Sequence, residues 1–180
     1  RDAGYQIVHF DSPDKRGIDC ALFYSSSVFQ MTSAEPHPVI LVGEEYIKTR
    51  DVLEVTGKLL GEPVSILVGH WPSRVGGEQA SLRRRMQAAK VMRSVTDSLL
   101  QQDPQAKVIL MGDFNDDPTS PSVMEGLRSR NSTEGLQPGE LFNPLAKHYL
   151  SGRGTLAYRD VWNLFDNIIV SQGLLKSSPE

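Results

Sequence analysis

Gly112-Asp113-Phe114-Asn115 sets a carboxylate and a carboxamide two residues apart, directly after the apolar run Lys107–Met111. A carboxylate there can orient and deprotonate water, and an amide can bind a metal or a phosphate oxygen, so the pair suits hydrolysis of a phosphate ester. Asp and Asn are also common where a strand simply ends in a turn, and the tetrapeptide alone fits that reading better. His70, in Gly69-His70-Trp71-Pro72-Ser73-Arg74, likewise follows an apolar run. A lone histidine at a strand end is more often structural. Here Arg74 stands close in sequence, able to grip a phosphoryl group bidentately, and Gly76-Gly77 allow a sharp turn of the backbone. Asp166 interrupts the apolar stretch Trp162-Asn163-Leu164-Phe165-Asp166-Asn167-Ile168-Ile169. If buried it needs a histidine or metal beside it; otherwise it is an exposed acid at a strand's first residue. Arg16-Gly17-Ile18-Asp19 is explained by a hairpin turn.

Positioning such groups requires rigid elements, and the pattern supplies them. Tyr5–Phe10 and Ile18–Tyr24 read as strands around the turn-rich segment Asp11–Gly17, and Val39–Val42 is a short apolar run. Asp51–Leu60 and Pro63–Gly69 flank Gly61-Glu62 as a hairpin, with a second arm apolar enough to be covered on both faces. Glu78–Gln102 is the clearest helix, with Leu82, Met86, Ala89, Met92, Val95 and Leu99 forming an apolar stripe and Pro104 closing it. Ser120-Pro121 predicts the start of a shorter helix, Arg130–Gly139 a surface loop, and Asn167–Ser171 a last strand. Each candidate group thus falls at a strand end, where it is held firmly yet open to ligand. Strand, helix and strand in this order predict an α/β sandwich.

The 180 residues, 39% of them hydrophobic and 23% charged, suit one domain, 1–180, with a substantial core. A net charge of -3 excludes a broadly basic face, so a polyanionic substrate must be met by a local site. With 7% aromatic residues, no platform for stacked bases is evident. Cys20 is the single cysteine, so no intrachain disulfide forms. No apolar run approaches the roughly 18 residues of a membrane span. The chain opens at Arg1 with neither an initiator Met nor a signal peptide, which reads as removal of an upstream segment and leaves localisation unread.

Taken in order, RGIDCALFY, GHWPSRVGG, GDFNDDP and GTLAYRDVWNLFDNIIVS resemble consecutive segments of the endonuclease/exonuclease/phosphatase superfamily, the DNase I-like fold, over almost the whole chain. The match is close to the bacterial branch that carries His-Trp-Pro-Ser-Arg. The resemblance implies a four-layered sandwich of two mixed β-sheets flanked by helices, here lacking N- and C-terminal parts, with Mg²⁺ or Mn²⁺ at one end. Asp113 and Asn115 match the pair that orients water, binds phosphate and contributes to the metal site. His70 matches a phosphate-binding histidine, and Asp166 an acid that orients a second, C-terminal histidine. Trp162 resembles the aromatic beside that acid. Arg74 and Trp71 are the candidate substrate contacts. The family's N-terminal Asn and its metal-binding Glu are expected upstream of residue 1, and its closing Ser-Asp-His segment downstream of residue 180. The implied activity is metal-assisted hydrolysis of a phosphate ester in a nucleic acid, nucleotide or phospholipid headgroup, by a nuclease or small phosphodiesterase. The alternative is a non-catalytic binding or scaffold domain on the same fold.

Overall fold

The computed structural model describes residues 4–42 and 47–175; the chain's first three residues, 43–46 and the closing 176–180 lie outside them. The first half contains β1 (Tyr5–His9), β2 (Ala21–Ser25), β3 (Phe29–His37), β4 (Ile40–Leu41), β5 (Ile47–Lys48), β6 (Val52–Leu59) and β7 (Glu62–His70). Then come α1 (Glu78–Gln102), β8 (Val108–Asp113), β9 (Ser129–Arg130), β10 (Leu141–Phe142) and α2 (Ala146–Leu150). A hairpin of β11 (Leu156–Tyr158) and β12 (Val161–Asn163) leads into β13 (Asp166–Ser171).

Seven strands form one mixed sheet in the order β3-β6-β7-β8-β13-β10-β9. β7 and β8 are parallel and joined by α1, whereas β6–β7 and β8–β13 are antiparallel. Alternation along the central strands gives the sheet two apolar faces. Val52, Leu67, Val108, Leu110 and Ile169 pack with Ala88, Ala89 and Met92 of α1. Val55, Val64 and Ile66 pack on the other side with Cys20, Leu22 and Tyr24, so the separate β1–β2 ribbon covers that face. The α/β architecture expected from the sequence is present; of the two mixed sheets expected, one is seen as the seven-stranded sheet, and among the described residues the other strands form two-stranded ribbons.

Several boundaries differ for physical reasons. The β6–β7 turn falls on Leu60-Gly61, one residue before the expected pair, because both adopt positive φ (51° and 90°) and so fit a two-residue hairpin turn. The edge strand β3 was not foreseen, since Pro36 breaks a strand pattern; an edge tolerates proline because one side needs no donor. The helix begins and ends where expected, but its buried side is Ser81, Arg85, Ala88, Ala89, Met92, Thr96 and Leu100, displaced by about one residue from the apolar stripe. Small Ser81 and Thr96 bond back to Gly77 O and Met92 O, so their hydroxyls are satisfied while the helix lies close to the sheet. After Ser120-Pro121 there is a short π-type helical turn, Ser122–Gly126.

Cys20 is buried, and desolvation pushes its thiol up to about 11. The neutral thiol is a poor nucleophile. Labelling with a thiol reagent at pH 8 is expected to be slow in the folded protein and complete within minutes in denaturant. Rapid labelling of the folded chain would show that this face opens.

Candidate active site

Three neighbouring strands end side by side. His70 closes β7, Asp113 closes β8, and the two are register partners across the parallel pair. Asp166 opens β13 and is the antiparallel partner of the same Asp113. Register partners project to the same face of a sheet, so the three form one row, on the face away from α1. His70 Nε2 stands 3.8 Å from Asp113 Oδ2, too far for a direct hydrogen bond and suited to a shared water or ligand. The His70 and Asp113 side chains are 35% and 39% exposed, so both are reachable from solvent. Asp166 is exposed as well, which settles its burial in favour of the surface position. Burial, reinforced by Arg50 behind it and only partly offset by Asp113, lowers the pKa of His70 below the ordinary histidine value. At neutral pH its ring is therefore uncharged, with one N–H to donate and one lone pair.

The local sequence explains the placement. At Gly112 φ is 136°, and a Cβ there would lie 1.9 Å from Gly69 O, so the close approach of β7 and β8 at this level requires glycine. Asn115 adopts a left-handed φ of 50°, which asparagine tolerates better than most residues. Its N–H donates to Asp113 Oδ1 at 2.9 Å and its Nδ2 to Trp71 O at 3.0 Å. The amide is thereby oriented, and its Oδ1 accepts no hydrogen bond among the described residues. Arg50, almost fully buried, fixes the β7 end by donating to His70 O at 3.0 Å and Trp71 O at 2.7 Å.

Two expected substrate contacts are corrected. Trp71 is 1% exposed and stacks on Phe114 with centroids 4.2 Å apart and planes 8° from parallel, so it is a core side chain. Alternation explains this: the residue after an outward His70 turns inward. Arg74 is engaged within the protein. Its guanidinium donates to Asn115 O at 2.9 Å and to Asp117 Oδ2 at 3.0 Å, and pairs with Asp116 at 3.1 Å and Glu78 at 3.2 Å. It also lies 4.5 Å over the Phe165 ring. It braces the loop after Asn115 and has no open face for a phosphate. Trp162, on the β11–β12 hairpin, is 54% exposed.

Sequence reasoning missed the acids that hold this loop. Asp116 is fully buried, with its Oδ2 2.6 Å from Arg85 Nε and accepting from Ser122 Oγ. The Arg85 contact is an ion pair lying off the line of N–H donation. Asp117 Oδ1 accepts Leu164 N at 2.7 Å, tying the loop to the residues before β13. Asn167 Nδ2 donates to Asp116 O at 3.1 Å and its Oδ1 accepts from Asn143. The signal was present in the second and third acids of GDFNDDP, and in an arginine on the apolar side of the helix.

The donor set fits a divalent cation. Asp113 and Asp166 are like charges directly opposite each other, an unfavourable pairing that a cation relieves. Asp113 and Asn115 Oδ1 offer hard oxygens of the kind Mg²⁺ or Mn²⁺ takes. Among the described residues, the groups of three that bring possible ligand atoms within 4.8 Å of one another lie elsewhere: His9, Asp11 and Asp19, and Glu35, His37 and Glu54. In the second, Glu35 and Glu54 are cross-strand partners and His37 Nε2 lies 2.7 Å from Glu54 Oε2.

A mixed sheet with outward polar groups gathered at adjoining strand ends, and a buried acid–arginine network beneath them, defines a class of α/β domain built around one strand-end site. The chain belongs to the Endonuclease/Exonuclease/phosphatase family, whose model matches residues 1–180. No curated protein matches it by sequence. Among solved structures it is similar to the human nocturnin catalytic domain with bound sulfate anion, at 19% identity and TM-score 0.62, covering 94% of this chain and 61% of that one. It is also similar to ANGEL2, a 2′,3′-cyclic phosphatase, at 14% identity and TM-score 0.59, covering 94% and 62%. A mannosyl-6-phosphatase of Bacteroides thetaiotaomicron matches at 17% identity and TM-score 0.58, covering 94% and 64%. These likenesses show the DNase I-like fold. The chain spans about three fifths of the length of these structures.

Proposed function

We propose that the protein containing this chain is a metal-assisted phosphoesterase, a nuclease or small phosphodiesterase of the bacterial branch that carries His-Trp-Pro-Ser-Arg. The observation that carries this reading is the register-locked row of His70, Asp113 and Asp166, with Asn115 oriented one turn beyond. A scaffold domain has no need of like-charged acids facing each other at an open strand end. The mannosyl-6-phosphatase and the 2′,3′-cyclic phosphatase, by their names, act on phosphate esters, and that supports the same reaction class here.

Asp113 orients water for in-line attack on phosphorus and accepts its proton. Neutral His70 donates its N–H to a phosphoryl oxygen as negative charge gathers there. Asn115, its nitrogen bound to Trp71 O, keeps its Oδ1 available to a metal or phosphate ligand. A divalent ion held by Asp113, Asn115 and a carboxylate from outside the chain would supply Lewis-acid stabilisation of the phosphoryl charge. Asp166 remains beside Asp113 to orient a histidine, likewise from outside the chain.

The full-length protein should hydrolyse bis(p-nitrophenyl) phosphate or p-nitrophenyl phosphate with Mg²⁺ or Mn²⁺ and lose that activity in excess EDTA. The 180-residue chain alone should bind Mg²⁺ far more weakly, because one carboxylate and one amide make a wet, loose site. Calorimetric titration of both decides the ligand assignment: equally tight binding places all ligands within these residues. Absence of hydrolysis with any divalent ion leaves the scaffold reading standing.

A further inference from the structure

Beside the strand end that carries His70 there is a recess of about 340 Å³ lined by several cationic side chains. The sequence is net -3, yet Lys15 and Lys48 line this cavity together with Arg16, Arg50 and Arg84, and among the described lining residues the carboxylate is that of Asp14. That carboxylate is already shared, 3.1 Å from Arg16 Nη2 and 3.1 Å from Arg50 Nη1. It cannot also neutralise the lysines. Lys15 and Lys48 are exposed and make no hydrogen bond or ion pair among the described residues. A second feature points independently to a ligand. Thr49, 4% exposed, lines the same cavity, and its Oγ1 has no hydrogen-bond partner. A buried hydroxyl left unsatisfied costs about 1–3 kcal/mol, and a bound acceptor removes that cost. Ser73, exposed on the segment that follows His70, adds a further hydroxyl to the lining.

We propose that this recess is a second anion subsite, which takes a phosphate group of the substrate other than the one being hydrolysed. The assignment rests on the phosphoesterase reading for its substrate and on the recess alone for its anion. Arg50 joins the two places: one guanidinium donates to His70 O and Trp71 O and pairs with Asp14 at the recess. A substrate with one phosphate beside His70 therefore has a fixed, cationic neighbour for another. The preferred substrate class is one with at least two phosphates, which also reconciles an acidic protein with a polyanionic ligand.

The test uses the full-length protein and its Lys15→Gln/Lys48→Gln double variant, since both lysines are exposed and their loss leaves the core intact. The substrates are the thymidine dinucleotide TpT and its phosphorylated forms pTpT and TpTp, with metal in excess. The wild type is expected to favour one phosphorylated form in kcat/KM by about 10-fold or more, the scale of one charge-assisted hydrogen bond. The double variant should lose that preference with TpT turnover unchanged, and Lys15→Arg/Lys48→Arg should restore it. A wild type without preference, or a variant that slows all three substrates alike, overturns the subsite. If no dinucleotide is cleaved, the phosphodiesterase reading falls by itself, and metal-free titration with inorganic pyrophosphate decides the recess. Backbone amide shifts at Thr49 and Ser73 that vanish in the double variant support it; shifts confined to His70 and Asn115, or none, refute it.

Discussion

Asp113→Asn in the full-length protein is expected to lower turnover about 100-fold or more while moving KM by no more than a few-fold, the usual scale for loss of a general base. The substitution preserves the local turn, because an amide oxygen can still accept the Asn115 N–H that Asp113 Oδ1 takes at 2.9 Å. What it removes is the charge that positions water and accepts its proton. It also relieves the repulsion between Asp113 and its cross-strand partner Asp166, so the variant should melt no lower than the wild type. Lost activity with retained or raised stability separates a chemical role from a structural one. Kinetics on bis(p-nitrophenyl) phosphate alongside thermal unfolding make the measurement. Turnover within a few-fold of wild type would remove Asp113 from the chemistry.

The elements that reach the site could be read from local pattern because each has a strong one. The β7 arm is apolar on both faces, α1 is bounded by Gly77 before and Pro104 after, and β8 runs into glycine where two strands nearly touch. That His70, Asp113, Asn115 and Asp166 share one end of one sheet also follows once each is placed at a strand end. What could not be read is which way each side chain faces. Trp71 stands beside His70 and so reads as a candidate substrate contact; strand alternation carries it inward onto Phe114. Nearness to His70 marks Arg74 as a phosphate contact, whereas two of its partners, Asp116 and Asp117, lie more than forty residues away and give no local signal. The displaced face of α1 has the same cause. An apolar stripe marks the buried side only when the sheet beneath is wholly apolar, and here a buried acid on the next loop draws Arg85 into the core.

That acid–arginine contact carries the largest expected stability effect. Arg85 is fully buried, and beyond Asp116 its Nη1 donates to Ser81 Oγ at 2.7 Å and its Nη2 to Glu78 O at 2.9 Å. Arg85→Met keeps much of the volume but leaves Asp116 buried with Arg74 as its remaining cation. Breaking one side of a buried pair typically costs about 3–5 kcal/mol, because an uncompensated charge stays in a low-dielectric place. The same step frees the loop that orients Asn115, since Asp116 O is the acceptor of Asn167 Nδ2 and Arg74 would be drawn from Asn115 O toward the orphaned carboxylate. Turnover should therefore fall even at temperatures where the variant is folded. Arg85→Met/Asp116→Asn removes both charges and should recover a large part of the stability, giving a coupling well above 1 kcal/mol in a double-mutant cycle by urea unfolding. A single-variant loss below about 1 kcal/mol, with additive effects in the cycle, would mean that Arg74 alone balances Asp116 and that Arg85 is held in the core by its bonds to Ser81 and Glu78.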